Sequence, residues 1–138
     1  MQAEPRVGCG AAIVVEGRIL LLKRETEPEA GAWGLPGGKI DLFETAAAAT
    51  GREVAEEIGI TIEPVQLLCF VDQIDCEAGT HWVALVYLVE RYAGTPQILE
   101  PQKHSGLAWF DLQALPAPLT TSTVMAVQAW QRLARPEL

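Results

Sequence analysis

The sequence contains no long uninterrupted apolar run. A helix that crosses a membrane needs about 20 consecutive, predominantly apolar residues, so no membrane span is predicted. The first six residues, Met1 to Arg6, also lack the basic stretch and long apolar core that mark a secretory signal. Both absences predict a cytoplasmic protein that does not bind membranes.

Cysteine is also scarce, with only Cys9, Cys69 and Cys76 in 138 residues. An odd number at these separations fits neither a disulfide framework nor a paired metal site. Free thiols are usual in cytosolic proteins, where disulfides are rare, and such thiols are mostly buried. We therefore expect three buried, reduced cysteines.

Positive charge is the third shortage, because 10 Lys and Arg face 18 Asp and Glu, for a formal net charge of −8. Such a chain is repelled by nucleic-acid backbones, which proteins usually bind through Lys and Arg. An acidic protein can still bind a small polyanion when divalent cations lie between the two sets of negative charge. The composition therefore excludes a nucleic-acid polymer as the expected partner and leaves a small phosphorylated ligand open.

What the sequence does contain is an alternation of strand-like and helix-like segments, without repeats, low-complexity tracts or a linker. A chain of this length suits one domain, which we expect to span residues 1–138. The alternation predicts an α/β fold with a mixed sheet between helices. The predicted strands are 7–15, 19–24, 33–35, 62–73, 81–92 and 107–110, with a turn at 36–38, and the predicted helices are 45–58 and 121–134.

Both predicted helices are amphipathic, and their apolar residues predict which side faces the sheet. The apolar side of the first helix consists of Ala47, Gly51, Val54 and Ile58. A glycine in mid-helix costs about 1 kcal/mol relative to alanine, which predicts that the helix backbone closely approaches the sheet there. The predicted core side of the second helix consists of Val124, Val127, Trp130 and Leu133.

The opposite side of the first helix carries three carboxylates. At about 100° per residue, Glu53, Glu56 and Glu57 share one face. They repel one another at helical spacing and lie in the half of the helix where the macrodipole disfavours negative charge. Arg52 is the only basic residue nearby in the sequence that could offset this charge. The face is therefore either a solvated acidic surface or a site for a divalent cation, which prefers oxygen ligands.

The residues around this face form an extended pattern. Gly38 is followed by five residues, Glu44, seven residues, and the segment 52–60, Arg-Glu-Val-Ala-Glu-Glu-Ile-Gly-Ile. This resembles the Nudix box, G-x5-E-x7-R-E-U-x-E-E-x-G-U, where U is a bulky aliphatic residue, and every specified position matches. The segments 21–24 and 33–39 also look like family segments upstream of the box. A match over so many fixed positions favours the cation site over the solvated surface.

The resemblance implies a Nudix-type α/β/α sandwich that hydrolyses a diphosphate linkage with Mg²⁺, for which Mn²⁺ could substitute. It implies that Glu53, Glu56 and Glu57 bind the metal and take part in catalysis. Glu53 stays open between metal ligand and base toward water. Arg52 would orient a carboxylate, and the carbonyl group of Gly37 would be a further metal ligand.

Four other residues receive roles from the same resemblance. Glu44 would brace the loop behind the metal ligands, and Gly38 belongs to the same supporting set. Lys39 and Arg24 are the candidates for contact with substrate phosphate. The alternative for these two is ordinary solvated surface charge.

Beyond the box, Glu100 is a candidate for an additional metal-binding carboxylate, because family members often place a glutamate on a distant loop. The segment departs from the pattern of triphosphate-cleaving relatives at Ser105 and Ala108, where acidic residues are common. We expect His104 to be a surface residue. Trp82, which opens an apolar strand, is expected to pack in the protein, with base stacking as the alternative.

The resemblance favours a nucleoside triphosphate pyrophosphohydrolase that releases a nucleoside monophosphate and pyrophosphate. Residues 72–78 lack the proline associated with ADP-ribose cleavage and the tyrosine associated with dinucleoside polyphosphates. The alternatives are an ADP-ribose or nucleotide-sugar pyrophosphatase and a non-catalytic nucleotide-binding module. Residues 120–122, Thr-Thr-Ser, do not match the amide used for base reading in some relatives, so the base is not predicted. The resemblance also allows a homodimer.

Overall fold

The computed structural model describes residues 2–64 and 66–134. Two helices and two sheets make up this part of the chain. In chain order the elements are β1 (Arg6–Val15), β2 (Arg18–Arg24), β3 (Trp33–Gly34), β4 (Gly37–Lys39), α1 (Ala46–Ile58), β5 (Thr61–Ile62), β6 (Gln66–Asp75), β7 (Thr80–Val89), β8 (Tyr92–Ala93), β9 (His104–Asp111) and α2 (Thr121–Ala134).

The main sheet is mixed, as predicted. Its strands follow the order β3-β2-β1-β7-β6, with β4 paired to β1 and β9 paired to β2. The pair β1·β7 is parallel, whereas β1·β2, β1·β4 and β6·β7 are antiparallel. The segments 62–73 and 81–92, each predicted as one strand, are both interrupted, and their outer pieces β5 and β8 form a separate two-stranded sheet. Pro64 lies in the first interruption, and proline has no N–H group for a ladder.

The prediction of a turn at 36–38 is wrong for its last two residues. Gly37 and Gly38 belong to β4, where they pair with Gly10 and Cys9 on the edge of β1 that faces away from β7. A side chain on Gly37 would overlap the carbonyl oxygen of Cys9. Glycine is therefore needed there because two backbones approach closely, not because a turn is formed.

The two helices cover opposite faces of the main sheet. Successive residues of β1 alternate between two buried clusters, since side chains of a strand point to opposite faces. Ala11 and Ile13 pack on the side of α1, and Ala12 and Val14 pack on the side of α2. This arrangement is the α/β/α sandwich that the sequence predicts.

The predicted apolar side of α1 is rotated relative to the observed one. Val54 and Ile58 are buried as predicted, but Ala47 is exposed and a side chain at Gly51 would meet no atom within 4 Å. The buried side instead includes Thr50, whose hydroxyl donates to the carbonyl of Ala46 at 2.8 Å. The helix itself can satisfy this hydroxyl, so the threonine is buried at little cost.

The predicted core side of α2 is also partly wrong. Val127 is buried and Trp130 packs against the core, but Val124 and Leu133 are 37% and 54% exposed. The buried positions are Thr123, Ala126, Val127 and Ala129. The prediction selected only large apolar side chains, whereas small ones such as Ala126 and Ala129 are buried as well.

The three cysteines differ in burial. All three cysteines are free, but only Cys9 is buried, whereas Cys69 is half-buried and Cys76 is exposed. The prediction of three buried cysteines is therefore wrong for the last two. No helix among the described residues is both long and apolar enough to cross a membrane.

Candidate active site

Arg52 connects helix α1 to the loop that precedes it. Its Nε donates to Oε2 of Glu44 at 2.7 Å and its Nη2 donates to Oε1 at 2.9 Å. The Nη2 group also reaches the carbonyl oxygen of Lys39 at 3.0 Å. These bonds from Arg52, followed by the bond from the amide of Asp41, lower the pKa of Glu44 to about 2. Glu44 and Arg52 thus form a charge-compensated pair, which we call the brace, between the loop and helix α1.

The same guanidinium also holds Glu53. Nη1 of Arg52 donates to Oε1 of Glu53 at 2.9 Å and lies 3.4 Å from the carboxylate of Glu56. A side chain on Gly38 would overlap the carboxyl group of Glu53. The absence of a side chain at Gly38 therefore lets Glu53 lie directly against the backbone of β4. Glu56 is half-exposed.

Glu57 lies in a different environment from its neighbours on the helix. Only 7% of the residue is exposed, and its Oε1 accepts a hydrogen bond from the amide of Gly37 at 2.6 Å. Burial, with added repulsion from Glu53 and Glu100, raises the pKa of Glu57 to about 8, although the Gly37 bond opposes the shift. Glu57 is therefore not part of a solvated acidic surface.

Glu100 is brought to this place by a loop that runs along the end of α1. The amides of Gln97 and Leu99 donate to the carbonyl oxygens of Ile58 and Glu57 at 3.0 and 3.1 Å. These carbonyls belong to the last turn of the helix, which lacks internal donors. The ligand atoms of Glu57, Glu100 and His104 consequently lie within 4.8 Å of one another.

His104 is not the surface residue that was expected. It is 6% exposed, it begins β9, and its Nε2 lies 3.3 Å from Oε2 of Glu57. Burial, with the charge of Arg24, lowers the pKa of the imidazole. The strand was predicted to begin at residue 107, and the three missing residues placed His104 outside the sheet. The one feature of the sequence that pointed to a role for His104 was its position four residues after the candidate carboxylate Glu100.

The two candidate phosphate-binding residues differ in their surroundings. Nε of Arg24 donates to the carbonyl of Pro28 at 2.8 Å, so this guanidinium holds the loop after β2. Lys39 is the last residue of β4 and has an exposed side chain. Both residues line a cavity of about 280 Å³ that also reaches Gly37 and Gly38.

A second cavity, of about 590 Å³, shares part of its wall with the first. Both are lined by Pro28, Glu29, Gln73 and Trp82. The amide nitrogen of Gln73 donates to the hydroxyl of Ser122 at 2.7 Å, which joins β6 to the start of α2. Together the cavities form a groove that runs from the glycines of β4 to Trp82 and beyond.

The donor set beside this groove fits a divalent cation. Glu53, Glu56, Glu57 and Glu100 supply carboxylate oxygens, which are the ligands that Mg²⁺ and Mn²⁺ prefer. Glu57 and Glu100 lie close together, and the only described cation near them is the exposed Lys103, whose Nζ is 3.3 Å from Oε2 of Glu100. The Nδ1 atom of His104 is buried and has no hydrogen-bond partner within the described ranges.

Comparison with known proteins gives a consistent result. The family model described as the NUDIX domain matches residues 4–128. The chain belongs to the Nudix hydrolase family.

Among solved structures, this Nudix chain is similar to a MutT Nudix hydrolase from Burkholderia pseudomallei. The two are 55% identical, with a TM-score of 0.90, over 91% of this chain and 98% of that one. Among curated proteins, it is 30% identical over 112 residues to an ADP-ribose pyrophosphatase of Methanocaldococcus jannaschii, covering 81% of this chain. It is 31% identical over 115 residues to a human 8-oxo-dGDP phosphatase, covering 80% of this chain. The matches span 65% and 33% of the length of these two relatives.

Proposed function

We propose that this Nudix protein is a divalent-metal-dependent pyrophosphohydrolase that converts a nucleoside triphosphate into a nucleoside monophosphate and pyrophosphate. The observation that carries the proposal is the cluster of Glu57, Glu100 and His104, in which Glu57 and His104 are buried and the ligand atoms lie within 4.8 Å of one another. Burial of Glu57 among like charges disfavours its ionised form, and a cation reverses that preference. The cluster therefore supports metal chemistry more strongly than an acidic surface would.

In this proposal Glu53, Glu56, Glu57 and the carbonyl group of Gly37 hold the metal, with Glu100 as a further carboxylate. A bound Mg²⁺ or Mn²⁺ would neutralise phosphate charge and lower the pKa of a bound water. Glu53 serves either as a ligand or as the base that removes the proton from the attacking water. Its 2.9 Å contact with Arg52 fixes its orientation for both roles.

The groove holds the substrate in this proposal. Lys39 contacts the phosphates, and Arg24 lines the same cavity while it holds the neighbouring loop. The nucleoside lies toward Trp82, whose ring lines both parts of the groove. Stacking of a base on an aromatic ring tolerates different bases, so Trp82 would contribute affinity and not base choice.

A screen of nucleotides with product analysis tests the proposal. Each nucleoside triphosphate, their oxidised forms, ADP-ribose and nucleotide sugars are supplied with Mg²⁺, and the products are separated by chromatography. We expect a triphosphate to have the highest kcat/KM and to yield monophosphate and pyrophosphate. Release of inorganic phosphate and a diphosphate nucleotide would contradict the proposed position of cleavage. The control is Glu57→Gln, which should be inactive on every substrate.

ADP-ribose hydrolysis is the second candidate. It is favoured by the 30% identity to the Methanocaldococcus jannaschii protein named for that activity. The groove also extends beyond Trp82 into a space lined by Asp72, Asp75 and Thr80, which could take a second sugar. A higher kcat/KM for ADP-ribose than for any triphosphate would select this candidate.

A further inference from the structure

The loop between β2 and β3 presents a carboxylate to the groove. Glu29 is the only charged residue among the four that line both cavities, and it is partly buried. Its φ is +62°, a backbone conformation that residues other than glycine rarely adopt. Strained positions of this kind cluster at functional sites. The contacts of the Glu29 side chain therefore bear on what the groove binds.

The described part of the chain uses one of the two carboxylate oxygens. Oε1 of Glu29 accepts from the amide and from the hydroxyl of Thr121, both at 2.9 Å. These bonds tie the loop to the first turn of α2. Oε2 has no hydrogen bond to a described residue. Since each carboxylate oxygen can accept about two bonds, Oε1 is filled and Oε2 keeps its positions for a group in the groove.

The groove beside Glu29 also has a surface for a base. Trp82 lines the same two cavities, and a side chain on Gly8 would lie 3.4 Å from Cε3 of its ring. The ring therefore lies against the bare backbone of β1. A base that stacks on Trp82 has its edge free to meet the walls of the groove, and Glu29 is the charged residue there.

The chemistry of Oε2 distinguishes the four common bases. An ionised carboxylate accepts hydrogen bonds and cannot donate them. On its Watson–Crick edge guanine carries two adjacent donors, N1–H and N2–H. In adenine, cytosine and uracil each N–H group of this edge is flanked by a ring nitrogen or a carbonyl oxygen, whose lone pair repels a carboxylate. Oε2 with two open positions therefore suits guanine and disfavours the other three.

We propose that Glu29 determines base choice, with Oε2 accepting hydrogen bonds from N1–H and N2–H of a guanine nucleotide. The proposal rests on the nucleotide hydrolysis proposed above and adds the base that the groove selects. Thr121 positions the carboxylate through Oε1, and Trp82 holds the base by stacking.

Glu29→Gln reverses the character of the group that faces the groove. The Thr121 amide can only donate, so the glutamine oxygen takes the place of Oε1 and its NH₂ group takes the place of Oε2. Binding is measured by calorimetry with Mg²⁺ and the α,β-methylene triphosphates of guanosine, inosine and uridine, which resist cleavage between the first two phosphates. Glu25→Gln is the matched control, because it removes the same charge from the same loop but lines neither cavity.

We expect the parent to bind the guanosine analogue about tenfold or more tightly than the uridine analogue. Inosine lacks the 2-amino group, so its analogue should also bind about tenfold more weakly than that of guanosine. Both ratios should fall to about one or below in Glu29→Gln and stay at the parent values in Glu25→Gln. A loss of stability or of negative charge would change the three affinities together and leave the ratios intact.

Equal affinities in the parent, or a guanosine preference that survives Glu29→Gln, would overturn the proposal. If the variant does not fold, the guanosine-to-inosine ratio of the parent alone decides. Metal-dependent release of pyrophosphate with equal affinities for the three analogues would remove Glu29 from base choice and leave the proposed function standing. Guanosine selectivity that depends on Glu29, without cleavage of any triphosphate, would keep the base site and remove the proposed reaction.

Discussion

The carboxylates of this site fall into two groups with opposite surroundings. Glu44 accepts two hydrogen bonds from Arg52, and its pKa is lowered to about 2. Glu57 is buried near Glu53 and Glu100, and its pKa is raised to about 8. The charge of Glu44 is compensated within the chain, whereas burial and neighbouring carboxylates disfavour the charged form of Glu57. In the proposed function, the contrast separates a carboxylate that supports the site from one that binds the metal, although Glu44 and Glu57 belong to one sequence motif.

The largest expected effect follows from removing the uncompensated charge. Glu57→Gln keeps an oxygen to accept from Gly37 but is a poor ligand for a hard cation. We expect kcat to fall by about 10³-fold, which is about 4 kcal/mol in the barrier. In metal-free buffer near pH 8 the variant should unfold at the same temperature as the parent or a higher one. Steady-state kinetics measures kcat, and thermal unfolding measures the stability. A folded variant that keeps most of its kcat would contradict the distinction between Glu57 and Glu44.

Glu57 also predicts a pH dependence. Its folded pKa of about 8 exceeds the ordinary glutamate value of 4.5, so the folded state retains a proton that the unfolded chain releases. Without metal, this contribution to stability is complete below about pH 4.5 and is lost as pH rises through 8. Mg²⁺ should therefore raise the unfolding temperature more at pH 8 than at pH 6. Thermal unfolding at both pH values measures this, and Glu57→Gln should reduce the pH dependence of the metal effect.

At Glu44, whose charge is compensated by Arg52, the expected pH dependence of stability has the opposite sign. Glu44→Gln removes two charge-assisted bonds from Arg52, so we expect lower stability and, because Arg52 also holds Glu53, a loss in kcat of about tenfold. Since the pKa of Glu44 is lowered, its contribution to stability is present above about pH 4.5 and declines as pH falls toward 2. Unfolding temperatures of variant and parent in EDTA should therefore converge in acid. A constant difference down to pH 3 would contradict the ion-pair origin.

A comparable effect on binding alone is expected in the groove. Trp82→Ala removes a surface for base stacking, which is worth about 1–3 kcal/mol, so KM should rise about tenfold or more with little change in kcat. Trp82→Phe keeps an aromatic ring and should retain most of the affinity. An unchanged KM in Trp82→Ala would mean that the nucleoside does not lie against this ring.

The smallest effect is expected at Phe43, beside the Glu44 brace. Its side chain is 97% exposed and its φ is +69°, a conformation that suits glycine. Phe43→Gly should raise stability by up to about 1 kcal/mol in denaturant unfolding, with kcat unchanged. A loss of stability would show that the phenyl ring makes a contact that stabilises the loop.

The sequence predicted the part of this site that depends on local spacing. Helical periodicity places Glu53, Glu56 and Glu57 on one face, and the resemblance to the box gave Glu44 and Arg52 separate supporting roles without predicting that they pair. Periodicity could not show that Glu57 is buried, because its burial depends on β4 and on the loop before Glu100. Strand pairing places β4 beside Glu57, and hydrogen bonds to the end of α1 place the loop before Glu100 there. Neither kind of contact can be predicted from the neighbouring residues in the sequence.

The failed predictions have the same origin. Gly51 was assigned a close approach that Gly37 makes instead, since the glycine that touches backbone is identified only by the strand beside it. His104 was placed at the surface because β9 begins three residues before its apolar run. In α2, small residues such as Ala126 are buried in place of Val124, because packing distance outweighs hydrophobicity at that contact.

The most direct measurement is turnover of the best triphosphate in excess EDTA, followed by addition of Mg²⁺. The parent should show no turnover in chelator, and Mg²⁺ should restore release of monophosphate and pyrophosphate. Glu57→Gln should stay nearly inactive under both conditions. Full turnover in excess EDTA would contradict a metal-dependent site, whatever the products.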